Sequence, residues 1–396
     1  MAKLKVLNVG QGDSMILRTN KGCKFHDETI LIDLGPGSYN IARNIGPDEK
    51  VHIFITHHDS DHVGGMKFFF HNKFRQIREI TVPLYQNEIT LIAKAILSLK
   101  GIGVSKDCGE FISALNEIVN NQIFLSELLR GSSDCPKLSV AYDGKAFCDH
   151  IRCLNPPMMP EIYEWWKELQ QETLFEILDE LFDAEFAQDL KRYVSNDWRG
   201  LYELDEPLFD SILLRGWEEQ RMGREIEDAK KSFVVNFVVE NISLLREFNK
   251  KPTRKKLGEI YREFTKSSHD VSMVLKVSDS ENSFLLTGDA SARVFRRLMR
   301  EGKDISADYL KIPHHGSKKN MKDDILDAIK PQTAIISHKN GRFGKAKDAH
   351  PNKEVLSMLQ RKKIKILLTN DVEKEGIVFM RRENHCHDYY VEIVQV

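Results

Sequence analysis

From Thr56 to Gly65 the chain reads Thr-His-His-Asp-Ser-Asp-His-Val-Gly-Gly, which puts three histidines and two aspartates within positions 57–62. Imidazole nitrogens and carboxylate oxygens crowded this closely repel one another unless a cation sits among them. The chemistry predicted is therefore metal binding, with His57, Asp59, Asp61 and His62 as ligands and His58 as a further donor or a plain spacer. Two later segments offer the same donor types. Phe284-Leu285-Leu286-Thr287-Gly288-Asp289 delivers a carboxylate that, taken alone, reads more naturally as the N-cap of a following helix. Leu310-Lys311-Ile312-Pro313 runs into the pair His314-His315, then Gly316-Ser317. Convergence of all three on one metal centre is the economical reading.

Each segment needs an element to aim it. The apolar run Val51-His52-Ile53-Phe54-Ile55 leads into the first cluster, so its polar residues fall in a loop at a strand's carboxyl end. Strands are expected at Lys3–Val9, Ser14–Arg18, Thr29–Asp33, His52–Thr56, Glu79–Pro83 and Phe147–Leu154, the last stopping at Asn155-Pro156-Pro157. They return at Val271–Val277, Ser283–Thr287, Tyr309–Ile312, Thr333–Ser337, Ile364–Leu368 and Gly376–Met380. Apolar positions at helical spacing predict helices over Ile89–Lys100, Ala292–Arg300, Asp323–Lys330 and Lys353–Arg361. This alternation predicts an α/β fold, a four-layer αββα sandwich with two sheets face to face and helices outside. It is interrupted over residues 158–266. There Trp166, Leu169, Leu174, Ile177, Leu178 and Leu181 keep helical spacing. Glu161 to Asp228 carries about twenty acidic residues against about seven basic ones. Residues 1–157 and 267–396 are accordingly read as two halves of one domain, and 158–266 as an acidic helical insertion.

Five motifs then stand in order: Val9-Gly10-Gln11-Gly12-Asp13-Ser14, Leu31-Ile32-Asp33-Leu34-Gly35, the Thr56–Gly65 run, Leu286-Thr287-Gly288-Asp289 and Pro313-His314-His315-Gly316-Ser317. Ala334-Ile335-Ile336-Ser337, Gly344 and His350-Pro351 follow them. Together they resemble the metallo-β-lactamase-like domain of ComEC-type DNA-uptake proteins, over roughly residues 1–155 and 267–380. The resemblance implies that His57 and Asp59 bind one divalent ion, with Asp59 where related enzymes carry a second histidine. Asp61 and His62 would serve another ion, Asp289 would bridge the two, and one of His314 and His315 would complete the second position. Asp13 and Asp33 would sit close by in supporting or direct roles, Asp33 by fixing a tautomer, Asn155 would support the ligands, and His350 would lie near the scissile phosphate or the metal's edge. There are departures from the family pattern. No clear histidine stands for the remaining ligand of the first ion, where Asn155 occupies a plausible place with a weaker donor. The family's membrane-channel portion is absent, and the acidic insertion is foreign to it.

Carboxylate at position 59 hardens the donor set and shifts preference from Zn²⁺ toward Mn²⁺ or Mg²⁺. Two such ions would make a nucleophilic water available near neutral pH, with Asp61 orienting or deprotonating it and His350 beside the substrate. Between Lys311 and Lys365 the chain has about fourteen basic residues against about five acidic ones, a composition suited to phosphate. Lys318, Lys319 and Arg342 are the expected phosphate-binding residues, with Ser317 as either a donor to phosphate or a brace for its own turn. The whole chain, 396 residues with 41% hydrophobic and 30% charged residues and a net charge of −1, exerts no general pull on nucleic acid, so any grip must be local.

No apolar run reaches the roughly 18 residues that span a bilayer, and the N-terminal apolar stretch is too short for a signal peptide. Six cysteines without a CxxC pair suit buried thiols and a reducing cytoplasm. Trp165, Trp166, Trp198 and Trp217 read as core or interface aromatics, and Cys386 between His385 and His387 reads as structural. The expected activity is metal-dependent phosphodiester hydrolysis, by a nuclease acting on DNA or RNA. Its rivals are a small-molecule phosphodiesterase or lactonase, and a metal-deficient scaffold that holds a protein partner through residues 158–266.

Overall fold

The computed structural model describes residues 2–19, 21–104, 108–130, 135–158, 171–195, 224–339, 350–374, 377–380 and 391–395. Arg342 with its glycine neighbours, Lys345, Lys347, Gly376, the four tryptophans, the His385–His387 triplet and much of the acidic stretch lie outside the described residues.

The chain divides into two compact units. The first takes Met1–Leu84, Pro136–Pro156 and His269–Val396 and holds two seven-stranded sheets. Its strands are β1 (Lys3–Asn8), β2 (Met15–Arg18), β3 (Thr29–Ile32), β4 (Val51–Phe54), β5 (Ile77–Pro83), β6 (Lys137–Ala141), β7 (Ala146–Cys148), β8 (Ile151–Asn155), β9 (Val274–Ser278), β10 (Ser283–Leu286), β11 (Tyr309–Lys311), β12 (Thr333–Ile336), β13 (Lys365–Leu368), β14 (Val372–Lys374), β15 (Ile377–Met380) and β16 (Val391–Gln395). One sheet runs in the order 16-1-2-3-4-5-6 and the other 13-12-11-10-9-8-7, while β14 and β15 form a separate hairpin. In the first sheet β3 to β6 are parallel, and in the second β10 to β13 are. Parallel sheets of this kind present ligand sites beyond the carboxyl ends of their strands.

The two sheets pack face to face. Val6, Leu17, Ile32 and Phe54 of one share a buried cluster with Cys153, Leu275, Phe284, Leu286 and Ile335 of the other. Phe54 meets Phe147 edge-on with ring centroids 4.8 Å apart, an aromatic pair worth about 0.5–1.5 kcal/mol beyond its buried area. By strand alternation the second sheet turns Leu285, Leu310, Ala334 and Ile336 the other way. There they pack with Phe295 and Leu298 of the helix Ala292–Arg300, Ile325 and Ile329 of Asp323–Ile329, and Leu356 and Leu359 of Lys353–Arg361. On the first sheet Ile16, Leu31 and Ile53 occupy the alternate face and are buried too, and the helix Met66–Lys73 buries Met66, Phe69 and Phe70. The expected helix–sheet–sheet–helix layering is present.

Local differences have simple causes. Phe147–Leu154, expected as one strand, is the antiparallel pair β7 and β8, turned at Asp149-His150. The strand expected from Val271 begins at Val274, because Val271-Ser272-Met273 forms a corner. Ile89–Lys100 is instead the helix Gln86–Leu97. β16 closes one edge by pairing parallel to β1, a partner hundreds of residues away that local pattern does not reveal.

The second unit comprises Tyr85–Cys135 and Pro157–Ser268, so the residues read as an insertion make up only the larger of its two pieces. It is helical, with Gln86–Leu97, Gly109–Arg130, Gln171–Leu181, Ala184–Ser195, Arg224–Glu240, Ile242–Lys250 and most of Arg254–Asp270. Ile92, Leu115, Leu178, Phe182, Phe237, Phe248 and Phe264 are buried within it. Among the described residues, no helix is long and apolar enough to cross a membrane.

Candidate metal centre

The donors meet beyond the carboxyl ends of β3, β4, β10 and β11. After β4 the chain extends through Thr56-His57-His58 and turns into the short helix Ser60–Val63, which carries Asp61 and His62. Beneath this loop lies Gly12, at φ +146°, where a Cβ would sit 2.3 Å from the Asp61 carbonyl oxygen, so only glycine lets the loops stack this closely. After β10, Gly288 at φ +47° brings the backbone against Thr56 and Ser272 and turns Asp289 inward. After β11, His314 (φ 48°) and His315 (φ 52°) are both left-handed, a backbone state that costs a non-glycine residue about 1–2 kcal/mol.

Asp289 is the hub. Its Oδ1 lies 3.4 Å from His62 Nε2. Its Oδ2 lies 3.9 Å from His57 Nε2, 3.9 Å from His269 Nε2, 3.7 Å from His314 Nε2 and 4.0 Å from His315 Nε2. Five imidazole nitrogens surround one carboxylate at separations longer than hydrogen bonds. His57 Nε2, His62 Nε2, His269 Nε2 and Asp289 Oδ1 are all buried without a hydrogen-bond partner. Leaving such groups unsatisfied costs about 1–3 kcal/mol each, which a shared cation would remove. Donors bound to one ion at ~2.1 Å stand about 3–3.5 Å apart, close to the spacing seen.

Two ligand sets emerge. His57 and His269 each place Nε2 3.5 Å from Asp59 Oδ2. On the other side His315 Nε2 is 3.1 Å from Asp61 Oδ2, next to His62. The residues therefore fit one ion among His57, Asp59, His269 and Asp289, and another among Asp61, His62, His315 and Asp289. Burial alone would raise the Asp59 and Asp289 carboxyls, but neighbouring imidazoles hold both well below the usual carboxylate range: His57 and His269 for Asp59, and His314, His62 and His315 for Asp289. Both stay anionic, as ligands must. Burial pushes His314 down to about 3, against the pull of Asp289, keeping its imidazole neutral.

Tautomers are set from behind. Asp33, fully buried and at φ 58°, accepts from His62 Nδ1 at 2.7 Å and from the Thr56 amide and hydroxyl at 2.7 Å each. His315 Nδ1 donates to the Ser337 carbonyl at 3.0 Å. With Nδ1 committed, Nε2 of each ring faces the centre. Asp13 is also fully buried and forms an ion pair with Lys311, while its amide donates to the Asp61 carbonyl at 3.2 Å.

Several expected residues have other surroundings. The missing histidine is His269, at the end of the helix Arg254–Asp270, just before the corner that leads to β9. Asn155 is no ligand: its Nδ2 donates to the carbonyls of Asp270 and Ser272 at 3.0 and 2.7 Å. Lys311, counted with the basic surface, is fully buried on Asp13 and cannot reach a substrate. Ser317 is also buried, and its hydroxyl accepts from the Lys319 amide at 3.3 Å, which makes it a brace for its turn. Lys318 pairs with Glu354 at 2.7 Å, Lys319 is exposed, and Arg342 lies outside the described residues. His350 stands edge-on to His314, ring centroids 4.9 Å apart, one ring out from Asp289. His58 is buried beside His57 but joins neither ligand set. The one signal for His269 was a His-Asp pair where the insertion gives way to a returning strand.

The model of the metallo-beta-lactamase superfamily matches residues 7–74. ComE operon protein 3 of Bacillus subtilis is 34% identical over 126 residues, 32% of this chain and 15% of that protein. Recombination protein 2 of Haemophilus influenzae is 34% identical over 138 residues, 28% of this chain and 16% of that protein. The chain thus spans only a small part of the length of the curated relatives it matches. Motif order, facing sheets and a complete donor set give this chain a metallo-β-lactamase-like fold that resembles the ComEC-type domain and supports a metal-dependent hydrolase.

Proposed function

We propose that this protein is a metal-dependent phosphodiesterase acting on nucleic acid, with two divalent cations, Mn²⁺ or Zn²⁺, as cofactors. The observation that carries the metal dependence is the ring of five imidazole nitrogens within 4.0 Å of Asp289. The ions would supply Lewis acidity, polarising a phosphoryl oxygen and making water acidic enough to attack near neutral pH. Asp61, with 14% of its side chain exposed, orients that water and takes up its proton. His350, packed edge-on against His314, would lie beside the scissile phosphate, and His314 itself is kept neutral. Exposed Lys319 and the neighbouring Lys318 supply positive charge for a phosphate backbone without dictating its shape. The name of one relative, a recombination protein, favours DNA. The metal-deficient scaffold rested on an absent ligand, and His269 removes that motive.

The test is a cleavage panel of single- and double-stranded DNA, RNA, bis-p-nitrophenyl phosphate and a lactone, run with Mn²⁺ or Zn²⁺ beside Asp61→Ala. Metal-dependent scission of a polynucleotide, abolished in Asp61→Ala, is expected. Turnover confined to the small esters would overturn the nucleic-acid assignment.

A further inference from the structure

Asn155 ends β8 with its side chain fully buried and every polar atom of its amide in use. Its Nδ2 grips the Asp270 and Ser272 carbonyls, the first just before the corner that follows His269 and the second within it. Its Oδ1 accepts from Arg297 Nη2 at 3.0 Å, and the same nitrogen donates to the Leu154 carbonyl at 3.2 Å. Arg297, 7% exposed on the helix Ala292–Arg300, is itself held by Glu301 at 2.7 Å and by Asp143 at 3.3 Å. The guanidinium can only donate, so it fixes which way the amide points and leaves both N–H groups for the corner. That corner has further holds, since Asp270 accepts from Ser291 and Arg293, Met273 N donates to the Thr56 carbonyl at 2.8 Å, and Ser272 Oγ accepts from the Asp289 amide at 3.2 Å, but none of these reaches His269 Nε2, which has no hydrogen-bond partner. Asp289, by contrast, has a second restraint, because Asn320 donates to its carbonyl at 3.0 Å.

We infer that Asn155 and Arg297 are positioning residues for His269, and so set the affinity of the His57–Asp59–His269 position selectively. The residue that stands where a ligand was expected acts on the metal through the ligand that replaces it. This rests on the metal centre of the proposed function, but not on the bond it breaks. Groups that orient a ligand are typically worth about 10–100-fold in metal affinity.

The experiment uses full-length protein titrated with Co²⁺, read by equilibrium dialysis and visible absorption. His269→Ala and His315→Ala identify the bands belonging to each position. Asn155→Asp keeps the shape but loses the two donors; it should weaken one Co²⁺ by about 10–100-fold and alter the bands lost in His269→Ala, leaving the others unchanged. Arg297→Lys, which keeps the charge but not the fork, should shift the same bands less, and it serves if Asn155→Asp fails to melt cooperatively. Unchanged affinities and spectrum in a folded variant, or equal weakening of both ions, would overturn the inference. Wild-type protein that binds no Co²⁺ would sink the metal centre too, whereas Co²⁺ binding without any cleavage would sink only the reaction.

Discussion

Around Asp61, His62 and His315 the supporting groups are buried charges: Asp33 behind His62, and the Asp13–Lys311 pair under the loop. Around His57, Asp59 and His269 the fully buried support is a neutral amide steered by a guanidinium that pins backbone rather than side chain, with the Asp270–Arg293 pair on the outer side of the same corner. Exposure differs as well, with 25% of the Asp59 side chain open against 14% for Asp61. One half of the centre is braced electrostatically within the first hundred residues and β11; the other depends on where a helix happens to stop. Charge bracing resists displacement because separating buried opposite charges is expensive, whereas a pinned corner can be retuned by one substitution.

This contrast can be broken at several points. Asp289→Ala, which strikes both halves, should lose both ions and at least about a thousandfold in rate, the loss of several kcal/mol of charge stabilisation. Metal analysis that found one ion held as before would show that the halves do not share a hub. Lys311→Met leaves Asp13 charged and unpaired; urea unfolding should show about 3–5 kcal/mol lost, and Lys311→Met with Asp13→Leu should recover most of it. Equal loss in single and double variants would mean the pair is not the brace. Asp33→Asn should weaken metal binding about 10–100-fold, confined to the His62 half in competition titrations. At the bottom of the scale, Lys318→Ala removes an exposed pair with Glu354 and should change stability by no more than about 1 kcal/mol, with full metal content.

Each position draws two of its ligands from one crowded run of the chain, and that run is what the sequence makes legible. Positions 57–62 announce themselves because no packing requirement explains so many donors after an apolar strand, and Asp289 and His314-His315 each close a strand ending at a tight turn. His269 carries no such mark. It is a single histidine at the end of an amphipathic helix, and only the path of the chain through the corner brings it to Asp59. Lys311 misleads for a related reason. Composition counts it as surface charge, yet β11 is an inner strand covered on both faces, so Tyr309, Leu310 and Lys311 are all buried. Layering was readable from period and alternation. The division into units was less so, because Tyr85–Cys135 packs with helices that follow it only after two intervening strands and a return to β8.

The turn at His314 and His315 sets stability and chemistry against each other. Glycine at either position would relieve about 1–2 kcal/mol of left-handed backbone. A screen for heat-resistant variants run with chelator should therefore enrich glycine there. With metal supplied, glycine at 315 should vanish from the winners, because the ion given up holds the fold together by more than the backbone recovers.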